Sequence, residues 1–261
     1  MGTRWAGVRG VVASRYLIVN ADDFGQSPGI NRGIFEAHER GIVTSASLMV
    51  RWPAATEAAA YGREHPDLSV GLHFDLGEWA YREEIWVPLY EVVPTRDPTA
   101  VRDEVSRQLG TFRRLLGRDP THIDSHQHVH REEPARTIVL QAARALGVPL
   151  RHFSSDVRYC ADFYGQTAEG FPLPHAISSE ALVKILSSLP AGITELGCHP
   201  GAGDDLETMY RSERRKEVRV LCDPRVRAAI VAESMALRSF AGMAARPGSP
   251  DWPDTSTMSM P

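Results

Sequence analysis

The sequence predicts an α/β fold: a mostly parallel sheet curled into an irregular or incomplete (β/α) barrel. Three observations carry this. Short apolar runs alternate with helical patterns along the chain, polar residues gather just after the apolar runs, and no Gly-x-Gly-x-x-Gly or Walker sequence marks a nucleotide fold. An open doubly wound sheet is the second choice, because it shares the same alternation. A barrel of this kind fits as one unit in 261 residues.

The elements follow in order. Tyr16 to Asn20 is a continuous apolar, β-rich run, the mark of a strand buried on both faces. Ser27 then supplies an N-cap and Pro28 a first helical residue; Ile30, Ile34 and Ala37 form the apolar stripe, and Gly41 stops it. Ile42 to Val50 is the next strand and Ala54 to Glu64 an Ala-rich helix, followed by a strand over Leu68 to His73. Val101, Val105, Leu109, Phe112 and Leu116 recur at helical spacing between Thr99 and Leu116. His122 to His126 reads as a strand, Pro134 to Leu146 as a helix and Leu150 to Phe153 as a strand. Ser178 to Leu189 is a helix, and Thr194 to Cys198 is the last strand expected. Glu78 to Pro98 and Ala161 to His175 interrupt the alternation as aromatic-bearing loops. Residues 1–15 read as a flexible N-terminus and 16–245 as a single (β/α) barrel domain. The Pro/Ser/Thr-rich tail 246–261 reads as disordered.

Composition removes several function classes. A formal net charge of -4 offers no basic field for nucleic acid or anionic lipid. No apolar run reaches the ~20 residues that span a bilayer. Met1 to Arg15 lacks the apolar core of a secretory signal, and Cys160, Cys198 and Cys222 form no C-x-x-C, so a reducing cytoplasm is expected. A homodimer is the one protein partnership left open.

The chemistry gathers at strand ends, where parallel α/β folds place their ligands. Asp22-Asp23 follow the first strand, His73 ends the third, and Cys198-His199 close the last. The run His122 to His130 carries Asp124, His126, His128 and His130. Singly, each has a bland explanation: turn chemistry for the aspartates, a structural role for a lone histidine. Together they read as a mononuclear site for a divalent metal, because a carboxylate and two imidazoles leave open positions for water and substrate. Strand alternation would put Asp124, His126, His128 and His130 on one face. Not all of them can reach one ion, so some must orient ligands or line the cleft. One of the paired aspartates can bind metal while the other takes a proton from water, and His199 is placed to protonate a leaving amine or stabilise an oxyanion.

The words LIVNADDFG (17–25), GIVTSASLMV (41–50), VGLHFDLGE (70–78), PTHIDSHQHVH (120–130) and ELGCHPG (195–201) resemble the YdjC-type carbohydrate deacetylases, which include the chitooligosaccharide deacetylases. The resemblance runs from Tyr16 to the helices near Val231. It implies an irregular barrel related to polysaccharide deacetylases, and removal of acetyl from an N-acetylglucosamine-type sugar with release of acetate and an amino sugar. Carried over by motif, Asp23, His73 and His126 are metal ligands, Asp22 is the proton acceptor and His199 the acid. The ligand chemistry favours Zn2+, whereas family members are usually described with Mg2+. After His73 this chain reads Phe-Asp-Leu-Gly-Glu-Trp where the chitooligosaccharide enzymes are more apolar, so substrate choice is where it departs. Asp75, Trp79, Trp86, His128 and His130 are the candidate sugar-binding residues, with Glu78 a further carboxylate and Tyr81 a further ring. Two rival readings remain: another metal hydrolase built on His128-x-His130, and a non-catalytic sugar-binding protein.

Overall fold

In the computed structural model, residues 14–206, 208–241 and 243 are described. The expectations for the termini fall largely outside these residues. The described chain runs β1 (Arg15–Phe24), α1 (Pro28–Glu39), β2 (Ser45–Leu48), α2 (Ala55–Glu64) and β3 (Ser69–Phe74). It continues with β4 (Gly77–Arg82), β5 (Ile85–Glu91), α3 (Pro98–Leu116), β6 (Ile123–Ser125), α4 (Ala135–Leu146) and β7 (Val157–Cys160). It closes with α5 (Ser179–Ser188), β8 (Gly192–Cys198), α6 (Ser212–Leu221), α7 (Pro224–Ala232) and β9 (Met235–Leu237).

Seven strands form one parallel sheet in the order β6-β3-β2-β1-β8-β7, with β9 beside residues 15–17 of β1. The outer strands β6 and β7 are not paired to each other, so the sheet is an incomplete barrel, as the alternation implied. β1 lies in the middle, and Leu17, Ile18, Val19 and Ala21 have no exposed surface, which is why its sequence does not alternate. Helix α1 begins at the expected cap, with Ser27 Oγ accepting from the Ile30 amide. Helix α3 is capped by Asp97, which accepts from Thr99 and Ala100, and ends at Gly117 in the left-handed region. Its Val101, Val105, Phe112 and Leu116 are buried; a fully buried Phe contributes about 1.5–3 kcal/mol.

Four local expectations are corrected. Residues 78–98 are not a loop: β4 and β5 form an antiparallel hairpin pairing Tyr81 with Trp86 and Arg82 with Ile85. Its turn, Glu83-Glu84, takes φ of 50° and 65°, a conformation usually advertised by Asn-Gly, so no turn signal was present. Only Leu150 of the Leu150–Phe153 segment joins the sheet, through one bridge to Ile123, and the true strand is Val157–Cys160. Thr194–Cys198 is not the last strand, because β9 follows. The histidine run leaves β6 at Ser125 and winds into a 3-10 turn over His126–Arg131, with Gln127 and His128 at φ 48° and 55°. Strand alternation therefore does not order its side chains.

Two features aim the site. Between the pairs Ala21↔Ala46 and Phe24↔Leu48, Asp22 and Asp23 lie opposite the single residue Ser47. This is a β-bulge, and Asp23 sits in it at φ 64°. A regular strand would send neighbouring side chains to opposite faces; the bulge lets both aspartates reach one cleft. On the other side, a Cβ on Gly33 would come within 2.4 Å of Gly201 Cα, and one on Gly29 within 2.5 Å of Gly203 Cα. Helix α1 thus touches the segment after His199 backbone to backbone, and Ala202 N donates to Gly29 O at 2.8 Å.

Candidate metal centre and cleft

The parallel sheet delivers β1, β3, β6 and β8 to one end of the barrel, and their C-terminal side chains meet there. Asp23, His73 and His126 are all buried and carry ligand atoms within 4.8 Å of one another. Asp23 Oδ1 accepts from His126 Nδ1 at 2.9 Å and lies 3.4 Å from His73 Nε2. Its other oxygen accepts from Arg214 of α6 at 2.7 Å. Burial alone would raise the Asp23 carboxyl, but Arg214 and His126 outweigh it and hold the group well below the usual carboxylate range. The two imidazoles move the opposite way. Burial opposes their charging, yet Asp124 and Asp22 lift His73 to about 9, and Asp23 lifts His126 to about 10.

Behind these residues lies a buried polar network. His73 Nδ1 donates to Asp124 Oδ1 at 2.7 Å. Asp124 Oδ2 accepts from Ser47 Oγ at 2.7 Å and lies 2.7 Å from Arg151 Nη2. Arg151 grips Asp22 through both oxygens, at 2.6 and 2.7 Å, and also donates to Glu195. Asn20 Nδ2 donates to Asp22 Oδ1 at 3.0 Å. Burial raises Glu195 to about 7 despite Arg151, so one guanidinium serves three carboxyls. His199 presents Nε2 at 3.8 Å from Asp22 Oδ2. Its ring lies against Tyr164 and Tyr210, while its backbone amide donates to buried Glu217 at 2.5 Å. Burial pushes His199 down to about 4, against the pull of Asp22 and Asp23, which leaves it neutral near pH 7.

A cleft of about 740 Å³ opens over these groups. Asp22, Asp23, His73, His126, His128 and His199 line it, with Glu78, Trp79, Trp86, Tyr159, Tyr164 and Tyr210 around them. Asp75 and His130, expected at the sugar, are not on this lining. Asp75 is fully buried and accepts from Arg51, Trp52 and Tyr90, anchoring the base of the hairpin. His130 is fully buried and is tied to Ser125 and to the Arg151 carbonyl. Tyr81 is likewise off the lining and leans on Trp86.

Sequence reasoning did not find Arg151 or Arg214. An arginine inside the apolar stretch around Leu150 was a usable signal for the first. Arg214 sits in Ser-Glu-Arg-Arg-Lys-Glu, which reads as a solvated helix face and gave none. Tyr164 and Tyr210 carried no motif.

The sequence model of the family described as YdjC-like protein matches residues 16–232. The chain belongs to the YdjC-like family. It is 33% identical to the chitooligosaccharide deacetylase of Serratia marcescens, over 87% of this chain and 98% of that one. Among solved structures it is similar to an Enterococcus faecalis protein provisionally described as a cellobiose-phosphate cleavage protein. That match has a TM-score of 0.71 at 26% identity and covers 89% of this chain and all of the other. It also shares its fold with a family 4 carbohydrate esterase from Streptomyces lividans in complex with acetate, with a TM-score of 0.55 at 13% identity. There the alignment covers 92% of this chain and 100% of that one. The relation to the polysaccharide-deacetylase barrel expected from the motifs therefore holds at the level of fold. Among the described residues, no helix is long and apolar enough to cross a membrane.

Proposed function

We propose that this chain hydrolyses the acetamide of an N-acetylated sugar of the N-acetylglucosamine type, using one divalent ion, Mg2+ or Zn2+, held by Asp23, His73 and His126. One observation carries the reading: these three side chains converge in an aromatic-walled cleft beside a second aspartate. The Serratia relative supports the reaction type. The donor set fits such an ion, since one carboxylate and two imidazoles leave room for water and substrate. His73 already has the outer carboxylate that a ligating histidine uses to fix its tautomer.

A bound ion would supply polarisation of the acetyl carbonyl and acidification of water. The remaining steps belong to the chain. Asp22, held by the two-pronged grip of Arg151, takes the proton from the attacking water. His199 is neutral and so cannot act as an acid until it gains a proton. Asp22, 3.8 Å away, is the group placed to hand that proton on to it, and His199 Nε2 then delivers it to the departing amine. Trp79 and Trp86 cover the apolar faces of the sugar. A cytoplasmic location is part of the proposal, supported by three cysteines that form no disulfide.

The rival centred on His128-x-His130 loses its support. Among the described residues, no cluster able to hold a metal includes either histidine. The deciding test is acetate release from a panel of N-acetylated mono- and oligosaccharides by the metal-loaded protein. Acetate from at least one sugar, absent with His126→Ala, is the expected result. Silence across the panel, with metal bound, would reject the activity.

A further inference from the structure

We propose that Glu78 is the outer carboxylate of His126, making the β4–β5 hairpin part of the metal centre and not only a wall of the cleft. This rests on the reading that Asp23, His73 and His126 hold a divalent ion.

The two imidazoles are arranged alike. Each turns one nitrogen toward Asp23 Oδ1: His73 its Nε2 and His126 its Nδ1. On His73 the outward nitrogen is already satisfied by Asp124 at 2.7 Å. On His126 the outward nitrogen, Nε2, is buried and has no hydrogen-bond partner. Facing it, 3.6 Å away, is Glu78 Oε2. That carboxylate is itself nearly fully buried, and its other oxygen accepts from Thr208 Oγ1 at 3.0 Å. One oxygen of Glu78 is therefore engaged across the cleft while the second points at an unsatisfied imidazole nitrogen. The gap exceeds hydrogen-bond length by less than an ångström.

A second contact sets this register. Gln127 Oε1 accepts from the Trp79 amide at 2.9 Å, and Gln127 Nε2 donates to the Trp79 carbonyl at 2.8 Å. The pair 79/127 lies one residue beyond the pair 78/126. The amide clamp therefore fixes Glu78 opposite His126, and does so through the turn that carries the histidine. An ion held at Nδ1 would leave the ring proton on Nε2, and Glu78 is the acceptor facing that nitrogen. Glu78 would act on the ion through the imidazole: among the described residues, neither of the two metal-capable clusters, Asp23-His73-His126 and Asp22-His73-Asp124, includes it.

The test is calorimetric titration of Zn2+, and separately Mg2+, into metal-free wild type, Glu78→Ala and Glu78→Gln. Thermal unfolding of the metal-free proteins serves as the control for folding. Outer partners of ligating histidines typically govern 10–100-fold in metal affinity. Glu78→Ala should weaken binding by about that factor, and Glu78→Gln should lie closer to wild type because its amide oxygen still accepts from Nε2. Equal affinity in a folded Glu78→Ala and wild type overturns the inference and leaves the metal site standing. Failure of wild type to bind either ion overturns the site itself. If Glu78→Ala does not fold, Gln127→Ala decides: weakened binding supports the coupling through the hairpin, and unchanged binding rejects it.

Discussion

The two sides of the cleft are built on different terms. On the barrel side the buried charged groups are linked partner to partner: His73 on Asp124, Asp124 on Ser47 and Arg151, Arg151 on Asp22 and Glu195, and Arg214 of α6 on Asp23, while His199 Nδ1 has no partner. The hairpin side is hydrogen-bonded at its base, through Asp75 and Gln127, but its outer end is open to solvent. His126 Nε2 stands unsatisfied, and Trp86 is 52% exposed on a two-stranded ribbon held by a side-chain clamp. The contrast separates the chemistry, which needs fixed geometry, from recognition, which tolerates adjustment.

The largest expected break is on the barrel side. Asp22→Asn keeps the side chain's shape but removes the proposed proton acceptor, and should lower kcat by about 10²–10⁴-fold with metal still bound. Measuring kcat alongside metal content checks it; near-normal turnover would move the base to another group. Next, Arg151→Met removes a guanidinium that faces three buried carboxyls and should cost about 3–5 kcal/mol in urea unfolding. A loss below 1 kcal/mol would mean that the network relaxes more freely than its burial implies. A smaller effect is expected where helix α1 meets the segment after His199. Gly33→Ala forces the two backbones apart and should cost about 1–3 kcal/mol, with part of the loss appearing in kcat because His199 shifts.

The smallest stability effect belongs to the hairpin. Trp86→Ala should change folding stability by no more than about 0.5 kcal/mol, the usual range for an exposed position. It should nevertheless raise KM for an N-acetylated oligosaccharide while leaving a minimal acetamide unaffected. Equal effects on both substrates would erase the proposed division between the two walls.

The barrel side was also the more legible in sequence. Buried strands announce themselves by unbroken apolar runs, and polar residues at their ends are conspicuous, so Asp22, Asp23, His73 and His199 could be marked before any coordinates, whereas His126 is picked out of the run 122–130 only through the family resemblance. What was hidden depends on conformations that residue type does not declare. Asp23 in the bulge, Gln127 and His128 in the turn, and Glu83-Glu84 in the hairpin all take positive φ without a glycine or Asn-Gly to announce it. The hairpin was therefore read as loop and the histidine run as strand. The arginines that hold the aspartates come from Leu150-Arg151 and from α6, far away in the chain, and a pairing over 129 or 191 residues leaves no local trace.

The far end of the barrel has its own consequence. Phe240 stacks on His122 with ring centroids 3.9 Å apart, and the neighbouring Ala241 amide donates to Ser69 Oγ. Beside this plug is a void of only about 10 Å³, bordered by Arg151 and Glu195. The end of the barrel away from the cleft is thus closed over by Phe240. Phe240→Ala would open this seal, let water reach Arg151 from behind and weaken its hold on Asp22 by dielectric screening. Catalysis at one end thus depends on a seal at the other, so Phe240→Ala should lower turnover although Phe240 does not line the cleft.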